Sequence, residues 1–284
     1  MSHLIRCLII ASALCVSAVV PAFGQGEPLI TDRPNQTQSA AIVPPQHVQL
    51  EVGWTFSQTG TLNFRTREHA LLGALARVGV GERLEARVEF AGWMFQANTP
   101  PTGPSFDRSG AGDIDVGFKL KLADGKLGGP AVAVIGTVRL PTGEAGFQRL
   151  RTDPAVRLAF ANELGDGVGI GYNVGVEFNT ECDPFVADAC GETTFIDYVY
   201  TVAFRFSVSE GLGAFAELFG TVEFNDGRTS AHALNGGFTY LLLDNLQVDA
   251  SGGIGLKRGQ SDSTGYDVAG DWFVGAGVSV RLPK

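Results

Sequence analysis

A serine and a histidine stand two residues apart in the stretch SAH, as Ser230 and His232. Residues i and i+2 of a β-strand point to the same side, so this pair could form a nucleophile and its general base. No asparagine is evident to orient the histidine, and the sequence lacks the GxSxG, HExxH and phosphate-binding glycine motifs. A lipid-modifying hydrolase is therefore only a third hypothesis. We expect no enzyme, no metal site and no cofactor.

The first 24 residues have the three parts of a secretion signal. A positive start with Arg6 precedes the apolar run CLIIASALCVSAVV, and the small residues of PAFG follow. We predict a signal peptide at 1–24 that is removed from the mature chain. A single anchoring helix is the alternative, but the apolar run is short and is followed by Pro21.

Two cysteines, Cys182 and Cys190, lie close together in ECDPFVADAC, beyond the predicted signal. In an exported chain, such a pair is typical of a disulfide that closes a small loop. The alternative is a metal site, but no histidine is nearby, and two thiols alone rarely hold a metal ion. We therefore predict a Cys182–Cys190 disulfide.

The charge balance disfavours nucleic acid as a partner. The formal net charge is −9, and loss of Arg6 with the signal takes the mature chain to −10. An acidic chain with no basic stripe is not suited to bind phosphates. No apolar run of about 18 residues follows the signal, so we expect no membrane-spanning helix.

Most of the chain alternates between apolar and polar residues with a period of two. In the segment 112–123, for example, every second residue is apolar and the intervening ones are charged or glycine. This is the pattern of β-strands with one apolar face. Twelve strands are predicted, at 46–58, 67–79, 83–97, 112–123, 130–141, 154–163, 167–180, 194–208, 212–224, 229–242, 245–257 and 270–282.

The length of the strands and of their connections favours a membrane barrel over a soluble sandwich. Many of these strands are longer than the usual five or six residues of soluble sheets, and they suit a tilted bilayer crossing. Short turns and longer loops alternate along the chain, as in outer-membrane barrels. Lipid cannot form hydrogen bonds with the unpaired backbone N–H and C=O groups at a sheet edge, so the sheet must close into a barrel. We predict an all-β, transmembrane, antiparallel up-and-down barrel over 46–284, with short periplasmic turns and longer extracellular loops.

If the apolar faces meet lipid, the polar faces line the lumen. Both signs of charge are interspersed there, which does not indicate an ion filter of one sign, and a twelve-stranded barrel has a narrow bore. The predicted lumen-lining residues are Glu51, Arg77, Glu85, Arg87, Glu89, Asp113, Asp115, Lys119, Lys121, Arg139, Arg157, Glu177, Asp197, Arg205, Glu217, Glu223, Asp249, Lys257, Asp271 and Arg281. Such side chains either line a wet channel or close it through ion pairs.

The stretch ITDRPNQTQSA, at 30–40, belongs to no predicted strand, and Pro34 would interrupt a helix. Because the first strand follows it, we place 25–45 at the periplasmic end of the barrel. It is either a plug that enters the lumen or a simple tether to the first strand. The plug or gate candidates are Thr31, Asp32, Arg33, Pro34 and Asn35.

The same stretch, with VPPQHVQLEVG at 43–53, resembles the start of the transporter-like outer-membrane β-barrels named for the meta-pathway of phenol degradation. That family has the pattern T-D-R-P-D-x-T-x-S followed by V-P-x-G-H-x-Q-L-E-x-G. This chain differs at Asn35, where aspartate is usual, and at Pro45 and Gln46. GDIDVGFKLKL, RLPTG and DWFVGAGVSVRLP are also similar to family segments, so the resemblance covers essentially the mature chain.

The resemblance implies passive uptake of small organic compounds, aromatic or otherwise hydrophobic, across the outer membrane of a Gram-negative bacterium. The expected partners are outer-membrane lipid, the small organic permeant and, during assembly, the outer-membrane insertion machinery. The alternative is a closed structural or adhesive barrel that acts through its extracellular loops.

Overall fold

Fourteen β-strands make up the regular structure of the described residues. The structure is a computed structural model that describes residues 29–60, 64–125, 129–183, 191–222, 230–258 and 271–283. Within them, no helix is long and apolar enough to cross a membrane. The strands are β1 (His47–Gly60), β2 (Arg65–Gly79), β3 (Leu84–Phe90), β4 (Trp93–Thr99), β5 (Phe106–Ala111), β6 (Ile114–Asp124), β7 (Ala131–Leu140), β8 (Asp153–Gly165), β9 (Val168–Asp183), β10 (Gly191–Ser209), β11 (Leu212–Val222), β12 (Ala231–Leu243), β13 (Leu246–Arg258) and β14 (Trp272–Pro283).

The strands form one antiparallel sheet that closes on itself. From β6 to β14 each strand pairs with the next in sequence, and β1 pairs with both β2 and β14, so the first strand completes the cylinder. Closure leaves the barrel wall without the unpaired edges that lipid could not satisfy. The predicted fold, an up-and-down transmembrane barrel, is confirmed.

Burial is inverted relative to that of a soluble protein. Among the largest fully buried side chains are Arg77, Lys119, Glu51 and Glu85, whereas long rows of valine, leucine and phenylalanine are exposed on the outside. Alternating residues of a strand face opposite sides, so each strand turns its apolar side outward and its polar side into the lumen. Lipid is the solvent that such an exterior fits.

One of the twelve predicted strands, 83–97, is interrupted, which corrects the prediction that it is continuous; the next, 112–123, is one strand as predicted, but an additional strand lies in the loop predicted before it. The first divides into β3 and β4 at 91–92, and the second is preceded by a separate strand, β5, with a break at 112–113. Gly92 has a φ of 106°, and Leu72, opposite it on β2, has a φ of 58°, so the backbone turns where an extended strand would continue. The barrel wall thus still has twelve positions, since β3 with β4 and β5 with β6 each fill one.

The strand breaks at 91–92 and 112–113 lie at one level of the wall, which we call the crease. The crease separates the barrel from a small three-stranded extension, which consists of β4, β5 and the first half of β2. Above the crease, β4 pairs with β2 on one side and β5 on the other, and β5 pairs with β4 alone among the described strands. Below it, β3 pairs with β2 and β6.

The connections on one end are tight. Residues 166–167, 210–211 and 244–245 join their strands directly, and Gly167 and Gly211 both have a φ of 75°, which suits glycine in a two-residue hairpin turn. Both described chain ends, before β1 and after β14, lie at this same end. The short turns therefore mark the periplasmic end, as predicted.

Candidate functional site

The N-terminal segment, residues 29–46, lies inside the barrel rather than beside it. It contains no strand or helix, yet Ala40 and Val43 are each only 1% exposed. Ala40 packs in an apolar cluster with Ala133 and Ile135 of β7 and Ala159 of β8. These small inward-facing residues leave room for the segment against the wall.

Asp32 of the N-terminal segment is surrounded by three cations of the wall. Its Oδ2 accepts hydrogen bonds from Arg87 Nη1 at 2.7 Å and Lys119 Nζ at 3.0 Å, and Arg77 Nη1 lies 3.7 Å away. The side chains of the cations are at most 5% exposed. We call Arg77, Arg87 and Lys119 the cationic cluster.

Asp32 also makes a hydrogen bond within the N-terminal segment. Its Oδ1 accepts a hydrogen bond from the backbone N–H of Ser39 at 2.8 Å, which closes the stretch between them into a loop. One carboxylate thus fixes both the shape of the segment and its place in the lumen.

Burial alone would raise the pKa of Asp32, since the charged form loses water. The positive charges of Arg77, Lys119 and Arg87, with the hydrogen bond from Arg87, outweigh it and hold the pKa well below its usual range. Asp32 is therefore ionised at neutral pH.

Two wall carboxylates balance part of the cationic cluster. Glu51 lies 3.0 Å from Arg77, and Glu85 lies 2.9 Å from both Arg77 and Arg87. They also hold the segment: Glu51 accepts the backbone N–H groups of Asp32 and Arg33, and Glu85 accepts that of Val43. The network is continuous from wall to segment.

Arg33 crosses to the other side of the lumen. Its Nη2 lies 3.2 Å from Oδ1 of Asp249 on β13. The guanidinium lies against Gly53 of β1 and Gly277 of β14, which face each other in register, and a Cβ on either glycine would collide with it. The seam between the first and last strands is thus shaped to receive this side chain.

The following residues of the segment are held mainly through their backbone. Glu217 of β11 accepts the N–H groups of Gln36 and Thr37, and Asn173 of β9 exchanges two hydrogen bonds with the backbone of Gln38. The Thr37 hydroxyl adds contacts with Thr201 and Glu217.

Cavities lie on both sides of the segment. A lower cavity of about 750 Å³ faces the periplasmic turns, and an upper cavity of about 390 Å³ lies on the extracellular side. Arg33 and Asn35 line both. The segment therefore lies between the two cavities.

A third space, the apolar cavity, adjoins the upper cavity and has a volume of about 500 Å³. Phe219, Phe273 and Val199 line it, and it shares Arg157 and Glu177 with the upper cavity. An apolar space beside charged groups can hold a small organic molecule in a defined orientation.

The other predicted lumen residues fall into separate places. Glu177 joins Arg139, 2.8 Å away, to Arg157. Asp113 instead accepts backbone N–H groups of the loop 141–152. The upper cavity is lined by Glu89, Asp115, Arg139, Arg157 and Glu177, the lower cavity by Lys121 and Arg205, and the apolar cavity by Asp271. Asp197 contacts Asn179, and Arg281 contacts Gln49.

Some predicted residues lie outside the described part of the chain. These are the signal peptide at 1–24, Glu223, Cys190 and the side chains of Lys257 and Cys182. The predicted disulfide therefore stays a prediction.

The histidine of the possible nucleophile–base pair contacts a tyrosine. His232 is on the outward side of β12, where its Nδ1 is 2.8 Å from the Tyr200 hydroxyl. No group of three or more metal-ligating side chains occurs within the described ranges.

Reasoning from charges missed the neutral polar groups that hold the segment, namely Asn173, Thr201 and Gln49, which bonds the backbone oxygen of Ile30. Each is on the inward side of its strand. An uncharged polar side chain on the inward face of an alternating strand was the signal that could have identified them.

Residues 31–282 match the family described as "Putative MetA-pathway of phenol degradation". The chain belongs to this family. The match begins at Thr31, so it includes the N-terminal segment as well as the barrel. No curated protein sequence matches the chain.

Solved structures with similar folds are outer-membrane barrels. The COG4313 outer membrane channel from Pseudomonas putida F1 is 14% identical, with a TM-score of 0.66, covering 84% of this chain and 97% of that one. The NanC porin is 10% identical, with a TM-score of 0.51 and coverage of 83% and 100%. The transport unit of the autotransporter AIDA-I from Escherichia coli is 8% identical, with a TM-score of 0.56 and coverage of 89% and 93%. With its closed sheet and apolar exterior, this member of the phenol-degradation family is a protein of the Gram-negative outer membrane.

Proposed function

We propose that this protein is a passive outer-membrane channel for small organic compounds and that the N-terminal segment is its plug. The observation that carries the proposal is the position of Arg33 and Asn35, which line the cavities on both sides of the segment. A lumen that is open above and below one loop is suited to a channel whose flow that loop limits.

The apolar cavity supports an organic permeant. Phe219 and Phe273 offer ring faces beside Arg157 and Glu177, so a molecule with an apolar body and one polar group fits both surfaces. The channels and porins of similar fold agree with transport rather than catalysis. An aromatic or other hydrophobic permeant is the class we favour.

Planar-bilayer conductance of the purified protein tests the plug. Deletion of 29–42 should raise the single-channel conductance, because the segment no longer fills the lumen. A variant in which glycine and serine replace residues 31–41 keeps the tether at full length, and it should also open the barrel. Unchanged conductance in both variants, with the barrel folded, would show that the segment is only a tether.

Uptake into proteoliposomes tests the permeant. Benzyl alcohol, hexanol and a sugar of similar mass form a suitable panel, since the apolar cavity should favour the first two. Equal rates for all three solutes would contradict the proposed class, and no flux for any of them would favour a closed barrel.

The remaining parts of the assignment follow the family pattern. Lipid contacts the exposed apolar rows of the exterior, and the insertion machinery assembles the barrel after removal of 1–24. The Cys182–Cys190 disulfide would staple the loop between β9 and β10. The mass of the protein isolated from the outer membrane, with and without reduction, tests both the cleavage and the disulfide.

A further inference from the structure

The cationic cluster has the geometry of a binding site for a carboxylate. Arg87, Lys119 and Arg77 converge on one oxygen, Oδ2, of a single carboxylate, with contacts of 2.7, 3.0 and 3.7 Å. In the plugged barrel that carboxylate belongs to Asp32, so the chain supplies the ligand itself.

The charges at this level balance only while Asp32 is present. The cluster carries three positive charges, and Glu51 and Glu85 supply two negative ones. Withdrawal of Asp32 leaves the three cations, which are at most 5% exposed while the segment is in place, with only two carboxylate partners. An unpaired charge in such surroundings is costly, so withdrawal is favoured when another anion takes the place of Asp32.

A second observation is that one N–H donor group of the cationic cluster remains without an acceptor. Nη2 of Arg87 is buried and has no hydrogen-bond partner among the described residues, although the Arg87 side chain is only 5% exposed. A guanidinium binds a carboxylate best through two parallel N–H groups, and Asp32 uses only one. An external carboxylate could use both.

The upper cavity borders the site at Asp32, although no residue of the cationic cluster lines that cavity. Asp32 itself lines the upper cavity, together with Arg139, Arg149 and Arg157. The whole lining of this cavity carries charges of both signs, with five carboxylates, those of Asp32, Glu51, Glu89, Asp115 and Glu177, and four arginines, Arg33, Arg139, Arg149 and Arg157.

We propose that Arg77, Arg87 and Lys119 form a carboxylate-binding site that an organic acid occupies in place of Asp32 when the plug withdraws. This inference rests on the plug function proposed above, and it names both the solute class and the event that releases the plug. The exchange leaves the number of charges at the site unchanged.

Ligand-observed NMR titration of the purified, detergent-solubilised protein tests the site, with benzoate as the probe and benzamide as its neutral counterpart. Asp32→Asn removes the competing carboxylate and keeps its shape. It should lower the dissociation constant of benzoate at least about tenfold relative to the wild type, because the unpaired positive charge favours an anion. Benzamide binding should be the same in both proteins.

In the Asp32→Asn background, either Lys119→Gln or Arg87→Gln should remove this gain. Lys121→Gln is the matched control, since Lys121 is two residues from Lys119 on β6 and pairs with Asp124 instead. It should leave the benzoate affinity unchanged. The faster migration of the folded barrel on unheated gels checks that each variant has folded.

Equal benzoate affinity in the wild type and Asp32→Asn would overturn the proposal, and so would an equal gain for benzamide. If deletion of 29–42 opens the channel while benzoate binding does not change with Asp32, the plug remains and the carboxylate site fails. If that deletion changes nothing but Asp32→Asn tightens benzoate binding, the site remains and the plug function fails.

Discussion

Two stretches of the N-terminal segment, Thr31–Arg33 (the charged end) and Gln36–Gln38 (the backbone end), are held in the lumen by different chemistry. Thr31–Arg33 is held by charge, since Asp32 meets the cationic cluster and Arg33 meets Asp249. Gln36–Gln38 is held mainly by backbone groups that contact Glu217 and Asn173. The first end depends on the identity of its side chains, whereas the second accepts many side chains because its backbone makes most of the bonds.

The difference predicts where substitutions release the segment. A buried ion pair that loses one partner leaves a charge behind, and this costs about 3–5 kcal/mol. A neutral hydrogen bond contributes about 1 kcal/mol. The charged end should therefore dominate docking, although the backbone end makes a comparable number of bonds.

Asp32→Asn should have the largest effect on docking. It removes the charge that balances the cationic cluster, which should shift the docked-to-released equilibrium about a hundredfold or more, from a cost of about 3 kcal/mol or more. Single-channel recordings should show long open periods that are rare in the wild type. Identical open probabilities would mean that charge does not hold this end.

Acidification should abolish the difference between the wild type and Asp32→Asn. The pKa of Asp32 is lowered in the docked segment, so its contribution is fully present above the ordinary value of 3.8 and is lost as the pH falls through the lowered pKa. The open probabilities of the two proteins should therefore still differ at pH 5 and converge only well below 3.8. Convergence already at pH 5 would contradict this. The comparison between the proteins cancels the titration only of those lumen groups that do not contact Asp32.

Gly277→Ala should have the next largest effect. The added Cβ would collide with the guanidinium of Arg33 and displace it from Asp249, whose side chain is fully buried. Gly275→Ala is the matched control, because a Cβ there meets the backbone oxygen of Trp54 at 3.1 Å and does not reach Arg33. Open probability should rise in Gly277→Ala and change little in Gly275→Ala. The same rise in both would point to a general disturbance of β14.

Glu217→Gln should have a smaller effect at the backbone end. The amide oxygen of glutamine still accepts one of the N–H groups of Gln36 and Thr37, but it loses the added strength of a charged acceptor, worth about 1 kcal/mol. Open probability should rise about fivefold at most. Gln36→Ala should change it hardly at all, because only the backbone of Gln36 bonds to Glu217. A larger effect from Gln36→Ala than from Glu217→Gln would reverse the account of this end.

The period-two alternation was sufficient to predict the barrel, because lipid outside and polar groups inside impose one pattern on every strand. The crease was not predicted, since Leu72 has a φ of 58° that nothing in its side chain favours. The sequence also placed Lys119 on a lumen-facing surface and Asp32 in a segment that is either a plug or a tether, but it did not place the two in contact. That contact depends on the path of a segment without regular structure, and periodicity carries no information about such a path.

The crease fixes a depth in the membrane. β5 pairs with β4 alone among the described strands, so one of its edges offers backbone groups that hydrocarbon could not satisfy. The hydrocarbon must therefore end at or below the crease on this side of the barrel. Trp93, the first residue of β4 and 41% exposed, stands at that level, as expected of an aromatic residue at a bilayer boundary. On this side of the barrel, the level of the crease therefore determines where the outer boundary of the bilayer lies.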